Sequence, residues 1–341
     1  MICVERTVGL FVLLLFAAAC SKNDGQEPSK ASDVFEVPAH FPPPVYHVGE
    51  VGIGSGGFEL GKRLFYDSRL SRDGTISCGS CHAQVHAFAD HSSALSVGID
   101  GNISKRNAPA LTNLAWYPDF MWDGGINHIE VMPIAPLTDP NEMDNDLSEL
   151  VNYLQQNTAY PDEFEEVFGS KQIDSQKILL AIAAFQGSIV SYRSKYDDYL
   201  TGQSQLSALE MDGKNIFEAQ CSSCHSGVLL TDFSFRNNGL DSTFADAGRA
   251  TITQNEADMG KFKVPSLRNV SLTNPYMHDG RIPTLRQVLD HYSEGIVESK
   301  TLDESLRDGL ALTEAEKDAL VAFLQTLTDY ELLGDSRFHE P

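Results

Sequence analysis

The sequence Cys-x-x-Cys-His occurs twice in this chain, and this doubling restricts the fold more than any other feature. The first copy spans residues 78–82 and the second spans 221–225. The chain has six cysteines, and the two outside these copies, Cys3 and Cys20, lie in an apolar N-terminal segment. Once that segment is removed, no cysteine is left for a disulfide framework, so both copies must serve another structure.

The two copies belong to a longer internal repeat. Three further segments recur in the same order: 61–65 with 213–217, 109–114 with 265–270, and 120–124 with 276–280. The last two pairs are both separated by 156 residues, for example Pro109 and Pro265. Agreement in order and in spacing predicts a duplicated domain.

Hydrophobic periodicity predicts a mainly α fold. Apolar residues spaced three to four apart predict helices over 58–67 and 209–220, each ahead of a Cys-x-x-Cys-His unit. A strongly apolar helix is expected over 174–192, between the halves. Thr313 and Glu316 have the spacing of a capping box at the start of a late helix. No segment is typical of an extended strand system.

The Cys-x-x-Cys-His spacing predicts covalent c-type haem. Two thiols three residues apart at a helix start each reach one vinyl group, and the next histidine ligates the iron. Zinc sites built from paired Cys-x-x-Cys units usually separate the pairs by about 15–20 residues, whereas here they are 143 residues apart. A thioredoxin-like motif would need a βαβ context that is absent. The expected haem-binding residues are Cys78, Cys81, His82, Cys221, Cys224 and His225.

The repeat also predicts a difference between the two irons. Continuing the offset of 156 residues places Tyr292 in the second half opposite Pro136 in the first. A phenolate can ligate iron, whereas proline has no side-chain donor. We therefore expect an open first iron and a second iron closed by Tyr292.

The N-terminus has the features of an export leader. The segment 8–19 is apolar or small, and Cys20 follows three alanines, as in lipoprotein signals. We predict a leader over 1–19, a polar and proline-rich tether over 20–50, and a lipid anchor at Cys20, with a plain secreted protein as the alternative. The helical domains are then predicted over 51–195 and 196–341.

The overall charge restricts the partners. The formal net charge is −23, from 25 Lys+Arg and 48 Asp+Glu. Nucleic acid and anionic membrane surfaces repel such a chain. A basic protein partner would suit it better, and the membrane is expected to be contacted through the lipid anchor alone.

Several further motifs show a resemblance to a known family. They are Arg106–Pro109, Met121–Gly124, Pro140–Met143, Val264–Val270 and Pro275–Gly280. With both Cys-x-x-Cys-His units, the chain resembles the bacterial di-haem cytochrome c peroxidases, including the MauG-like branch, over roughly residues 50–330. The resemblance implies two tandem cytochrome-c-like helical domains, each with one haem, and a calcium ion between them.

The resemblance also implies roles for single residues. Glu142 matches the distal carboxylate beside the peroxidatic haem, and Trp122 matches the tryptophan between the haems. Asn107, Thr273 and Pro275 match the calcium ligands, the last two through backbone carbonyls. His278 is the duplicate of Trp122 and is expected to line the space between the haems.

The chain departs from the family pattern at several positions. Ile99 ends the stretch Ser96–Ile99, where well-known peroxidases carry a displaceable histidine, so the first iron is expected to be open at rest. His86 and His91 are interpreted as solvated loop histidines rather than substitutes for it. Tyr292 replaces an axial methionine, as in the MauG-like branch. Met132 and Gly125 replace a glutamine and an arginine, and nothing in the sequence explains these two changes.

The resemblance implies a periplasmic peroxidase. Such an enzyme reduces hydrogen peroxide to water with electrons from a small periplasmic cytochrome c or cupredoxin. Two other hypotheses stay open: a MauG-like enzyme that oxidises a protein substrate, and a di-haem electron carrier without enzyme activity. The chain is also compatible with a homodimer.

Overall fold

The computed structural model describes residues 34–47 and 54–341. The predicted leader 1–19 and the anchor Cys20 lie outside the described residues, as does most of the predicted tether. Within the described ranges, no helix is both long enough and apolar enough to cross a membrane.

The described part of the chain is mainly helical, as predicted. The helices are α1 (Gly54–Tyr66), α2 (Cys78–Cys81), α3 (Ile134–Thr138), α4 (Leu147–Gln156), α5 (Tyr160–Phe168), α6 (Ser175–Gly187), α7 (Lys195–Leu200), α8 (Ala208–Gln220), α9 (Ala250–Thr253), α10 (Leu285–Asp290), α11 (Glu314–Gln325) and α12 (Tyr330–Gly334). Two short strands, β1 (Phe235–Arg236) and β2 (Phe262–Lys263), pair antiparallel. Long irregular connections join these elements.

In the first half, α1 and α6 cross at a glycine. A methyl group on Gly61 would overlap the carbonyl oxygen of Ala181, so only glycine lets the two backbones approach this closely. Phe65 and Phe185 pack beside the crossing with ring centroids 5.0 Å apart. This crossing is the centre of the first hydrophobic core.

In the second half, α8 and α11 repeat that crossing. A methyl group on Gly213 would overlap the carbonyl oxygen of Ala319. Phe217 and Phe323 lie beside it with ring centroids 5.1 Å apart. Each half therefore closes its own core in the same way, which gives two cytochrome-c-like domains. The domain boundary at 195/196 stays a prediction.

The loops between the helices repeat as well. Asn113 and Asn269 both have φ of 60°, and Gly124 and Gly280 both have φ of 66°. The side chain of Asn113 pairs with the backbone of Ser191, while Asn269 donates to the Ser191 hydroxyl at 2.9 Å. The repeat in the sequence is thus a repeat of backbone conformation.

The two halves are joined by backbone and charged contacts. Arg106 makes a bidentate pair with Asp246, with Nε and Nη2 at 2.7 and 2.9 Å from its carboxylate oxygens. The backbone N–H of Asn107 donates to the carbonyl of His278 at 2.8 Å. These contacts bring the two repeated loops face to face.

Two local predictions can be compared with the structure. The capping box of Thr313 and Glu316 is confirmed at the start of α11. The helix predicted over 174–192 ends at Gly187, because the Asn113 side chain binds the backbone N–H of Ser191 at 2.9 Å and holds the next residues outside the helix. The prediction of its C-terminal end was wrong for this tertiary reason.

Candidate functional site

The first Cys-x-x-Cys-His unit forms one short helical turn. Cys78 to Cys81 make up α2, and the Ser77 side chain caps it in a capping box with Ser80. His82 is the C-terminal cap of this turn. The Nδ1–H of His82 donates to the carbonyl of Phe88 at 2.9 Å, which leaves Nε2 available as an iron ligand.

The second unit has a different local setting. The helix α8 runs directly into Cys221, which is its C-terminal cap, so this unit follows a helix end rather than a helix start. The Nδ1–H of His225 donates to the carbonyl of Leu230 at 3.1 Å. Both histidines are therefore oriented by the same kind of backbone bond, and the Cys thiols of both units are free.

The residues present fit covalent haem. A cavity of about 960 Å³ lies against Cys78, Cys81 and His82, within the size range of cofactor pockets. Apolar side chains from the first core form part of its wall: Leu111, Leu114, Phe120, Met132 and Met143. Two thiols, a neutral imidazole and an apolar slot are what attachment of a porphyrin requires.

Glu142 lies in the wall of the same cavity. Burial, together with the nearby charge of Asp139, raises the pKa of its carboxyl group. Its backbone carbonyl accepts the N–H of Ile99 at 3.0 Å, so the loop that lacks the displaceable histidine packs on the Glu142 turn. Ile99 itself is buried. A carboxyl group with a raised pKa in a cavity can accept and return a proton.

The position opposite Tyr292 in the repeat also faces this cavity. Pro136, in α3, lines it together with Met132. The side chain of Pro136 has no donor atom for iron. Position 136 itself therefore supplies no sixth ligand to the first iron.

Trp122 and His278 occupy duplicated positions where the two halves meet. Both line the cavity. The indole Nε1–H of Trp122 donates to the carbonyl of Asn107 at 2.8 Å, which fixes the ring. His278 stacks on Phe262 with centroids 3.8 Å apart. Two aromatic side chains thus lie in the wall of this cavity, where the halves are in contact.

Tyr292 lies in a short π-helical segment, His291–Gly295, directly after α10. Such segments are frequent at functional sites. Burial raises the pKa of Tyr292 to about 12, and the charges of Cys221 and Cys224 add to the shift. The phenol therefore lies near both thiols of the second unit, where it ionises only if a cation compensates it.

The predicted calcium ligands come from loops that touch. The side-chain nitrogen of Asn107 donates to the carbonyl of Ala94 at 3.0 Å, and no donor among the described residues binds its Oδ1. Thr273 and Pro275 flank Asn274, whose carbonyl contacts His91 Nδ1 at 3.3 Å. No cluster of three or more His, Cys, Asp or Glu suited to a metal occurs among the described residues. A calcium site here would rest on amide and carbonyl oxygens.

The two loop histidines do not reach the cavity. The rings of His86 and His91 lie 4.5 Å apart, centroid to centroid, and His91 is exposed. Neither residue contributes to the cavity wall. In this structure they do not replace the missing distal histidine.

Two residues of the cavity wall were missed by the sequence reasoning. Lys263 and Gln186 both line it, and the Oε1 of Gln186 is buried without a hydrogen-bond partner in the described structure. When α6 is aligned with α11 at Ala181 and Ala319, Gln186 corresponds to Leu324. A polar residue in the place of a leucine is the signal that would have identified Gln186.

Two protein-family models match successive parts of the chain. A model of the di-haem cytochrome c peroxidase family matches residues 55–205. A cytochrome c model matches residues 210–328. Each match contains one Cys-x-x-Cys-His unit.

Individual relatives are similar over most of the chain. A methylamine utilization protein MauG from Methylophilus methylotrophus is 35% identical, covering 79% of this chain and 81% of that protein. A cytochrome c551 peroxidase from Nitrosomonas europaea is 33% identical, covering 79% of each. A crystal structure of a MauG-like protein associated with microbial copper homeostasis superposes with a TM-score of 0.83 at 36% identity, covering 90% of this chain and 98% of that one.

Proposed function

The chain belongs to the family of di-haem cytochrome c peroxidases and MauG proteins, and from this premise we propose that it reduces hydrogen peroxide to water with electrons from a small redox protein. The observation that carries the proposal is the cavity wall beside His82, which combines Glu142 with Pro136. This arrangement supplies a proton-transfer group and leaves room for a small oxidant.

The proposal gives the two domains different tasks. Haem c supplies an iron that can bind and cleave peroxide and can store and pass on electrons. His82 would hold the iron of the N-terminal domain and leave its other face open, while His225 and Tyr292 would together hold the iron of the C-terminal domain. An anionic oxygen ligand favours the higher iron charge, so the C-terminal haem should have a low reduction potential.

Glu142 carries the proton transfer in this proposal. Its carboxylate accepts a proton from one oxygen of hydrogen peroxide and returns it to the other oxygen, which leaves as water. Such a transfer by a positioned side chain contributes about 10²–10⁴-fold. Burial raises the pKa of Glu142 and so brings that pKa closer to the pH at which the carboxyl group can both accept and return a proton.

Trp122 shortens the electron path between the domains. Its indole is fixed by the Asn107 carbonyl, and its own carbonyl accepts the N–H of Lys263 at 2.8 Å. The ring is therefore fixed by the first half of the molecule, and the backbone of the same residue is bonded to the second half. We assign it the task of sharing the two oxidising equivalents between the haems.

Stopped-flow addition of hydrogen peroxide to the di-haem protein tests the proposal. We expect both haem bands to change, followed by their recovery when a reduced cytochrome c or cupredoxin is added. Two low-spin haems that do not react with peroxide would instead identify an electron carrier and contradict the proposal.

A second candidate is oxidation of a protein substrate, as proposed for a MauG-like enzyme. The observation that favours it is Tyr292, which lies beside the second pair of thiols. This candidate predicts slow turnover with small donors, a long-lived doubly oxidised protein, and loss of that state on contact with one specific protein. Rapid multiple turnover with a reduced cytochrome would exclude it.

We also propose a calcium ion held by Asn107 and the carbonyls of Thr273 and Pro275. The support is the Oδ1 of Asn107, to which no donor in the described part of the chain binds, and the contact of its loop with the second half. Oxygen ligands at an interface suit a hard cation. Calcium analysis before and after chelation tests it, and a protein that contains no calcium as isolated would refute it.

The cell location is a proposal drawn from the N-terminal sequence. We place the reaction in the periplasm, with the chain anchored through lipid on Cys20. Fractionation of cells and mass spectrometry of the mature N-terminus test both parts. A cytoplasmic protein with an intact leader would refute them.

A further inference from the structure

The cavity beside the first Cys-x-x-Cys-His unit is lined by five lysine and arginine residues: Lys105, Arg106, Lys263, Arg268 and Arg281. Four of them have a carboxylate partner within 4.0 Å. These pairs are Lys105 with Asp139, Arg106 with Asp246 and Asp123, Arg268 with Asp197, and Arg281 with Asp241 and Asp279. Lys263 has none among the described residues. Among the cations of this wall, it is therefore the one that receives no counter-charge from the part of the chain that the structure describes.

The surroundings of Lys263 make an unpaired charge unfavourable. Its Nζ donates to one backbone carbonyl, that of Asp119, at 2.9 Å, and lies 4.7 Å from the centre of the Tyr117 ring. Burial lowers the pKa of the ammonium group to about 7, although Asp119 and Asp123 oppose the shift. Burying an ammonium group without an anion costs free energy. The two N–H donors of Lys263 that have no partner among the described residues therefore point to a ligand that supplies an anionic group.

The internal repeat assigns Lys263 to the second half of the chain. Lys263 precedes Val264–Val270 as Asn107 precedes the matching segment of the first half. It belongs to the C-terminal domain, but its side chain lines the cavity that contains Cys78 and His82. Its backbone N–H is fixed by the carbonyl of Trp122 at 2.8 Å.

We propose that Lys263 binds a propionate carboxylate of the haem in the N-terminal domain and thereby places a positive charge from one domain beside the iron of the other. The ligand class is a carboxylate on the porphyrin edge, which satisfies the unused N–H donors. The proposal rests on the presence of the first haem and not on the peroxide reaction, so a failure of the proposed function would leave it standing.

The variant Lys263→Met tests the proposal by redox titration of the di-haem protein. Removal of a positive charge near the iron stabilises the oxidised form, so the reduction potential of the N-terminal haem should fall. A single charge roughly 12 Å from the iron, at an effective dielectric constant of about 20, changes the reduced-to-oxidised ratio by about tenfold at a fixed potential. The propionate bands in redox-difference infrared spectra should shift at the same time.

Two controls separate a positioning role from a general effect of charge or folding. Lys261→Met removes the same charge two residues away, where Lys261 pairs with Asp258 at 3.3 Å, and should leave both potentials unchanged. Lys263→Arg keeps the charge and should restore most of the potential. Unchanged potentials in Lys263→Met, or a shift confined to the C-terminal haem, would overturn the proposal.

A measurement on the unaltered protein decides the question even if Lys263→Met fails to retain its haems. In a crystal structure of the di-haem protein, we expect Nζ of Lys263 about 2.7–3.2 Å from a propionate oxygen of the N-terminal haem. A separation beyond about 4 Å from every oxygen of that propionate pair would overturn the proposal.

Discussion

The two domains share a backbone and differ in the side chains that face their haem sites. The glycine crossing, the orientation of the histidine by a carbonyl, and the left-handed asparagine before each loop occur in both halves. The paired positions that differ are Pro136 and Tyr292, Trp122 and His278, Gln186 and Leu324, and Asn107 and Lys263. Duplication has preserved the residues that close a cytochrome c core and changed side chains that are predicted to face the haems.

This division has a physical basis. A glycine packed on a backbone carbonyl tolerates no added atom, and an asparagine at φ of 60° has few replacements. A side chain in a cofactor cavity is restricted only by volume and polarity. Exchange at such positions can therefore give one domain an open site and the other a closed one without altering the fold.

The largest expected effect is at the open site. Replacement of Glu142 by Gln removes the group that accepts a proton while preserving its shape. Turnover of peroxide should fall on the order of 10²-fold or more, measured with saturating reduced donor. Glu149→Gln, on the exposed face of α4, is the matched control and should retain full turnover. Equal activity in both variants would remove Glu142 from the mechanism.

The same residue gives a pH dependence. The pKa of Glu142 is raised by burial and by Asp139, and the ionised form is the one that accepts the first proton. Turnover should therefore decline as pH falls through that raised pKa, at a higher pH than for an ordinary glutamate. This limb of the profile should be absent in Glu142→Gln. If the limb persists there, another group titrates.

The next effect concerns the closed site. Tyr292→Phe removes the phenolic oxygen but keeps the ring, so the C-terminal haem should lose its sixth ligand and change from low spin to high spin. Electron paramagnetic resonance of the oxidised protein measures this change. Tyr330→Phe, at a tyrosine of the same domain that is 70% exposed, should leave the spectrum unchanged. An unaltered low-spin signal in Tyr292→Phe would rule out this ligand.

The third effect concerns the helix crossing that occurs in both domains, of α1 with α6 and of α8 with α11. Gly61→Ala and Gly213→Ala each push a methyl group into a backbone carbonyl that cannot rotate away. Each should destabilise its domain by about 1–3 kcal/mol or more, seen as a lower denaturant midpoint. Gly334→Ala meets no atom within 4 Å and should change the midpoint little. A marked difference between the first two variants would show that the two crossings carry unequal strain.

The repeat, the helical class and the two haem-binding units could be predicted from the sequence, because they rest on spacing and periodicity. The ends of elements could not be predicted. The end of α6, for example, depends on a hydrogen bond from the backbone N–H of Ser191 to the side chain of Asn113, which is distant in sequence. Lys263 was missed for a similar reason. A lysine in an alternating segment is usually solvated, and only the contact between the halves places it in the first cavity.

The smallest expected effect concerns Gln186, whose carboxamide lies where the second domain has Leu324. Its Oε1 is buried and receives no hydrogen bond from residues 34–47 or 54–341, so Gln186→Leu removes an unsatisfied acceptor and should be neutral or stabilise the first domain by less than about 1 kcal/mol. Gln84 is the contrasting control, because its Nε2 donates to the carbonyls of Leu332 and Asp335 at 2.8 and 2.9 Å, and Gln84→Leu should lower the denaturant midpoint. If Gln186→Leu also lowers the denaturant midpoint, the amide of Gln186 has a partner in the haem-loaded protein. The two domains then differ by one more functional side chain.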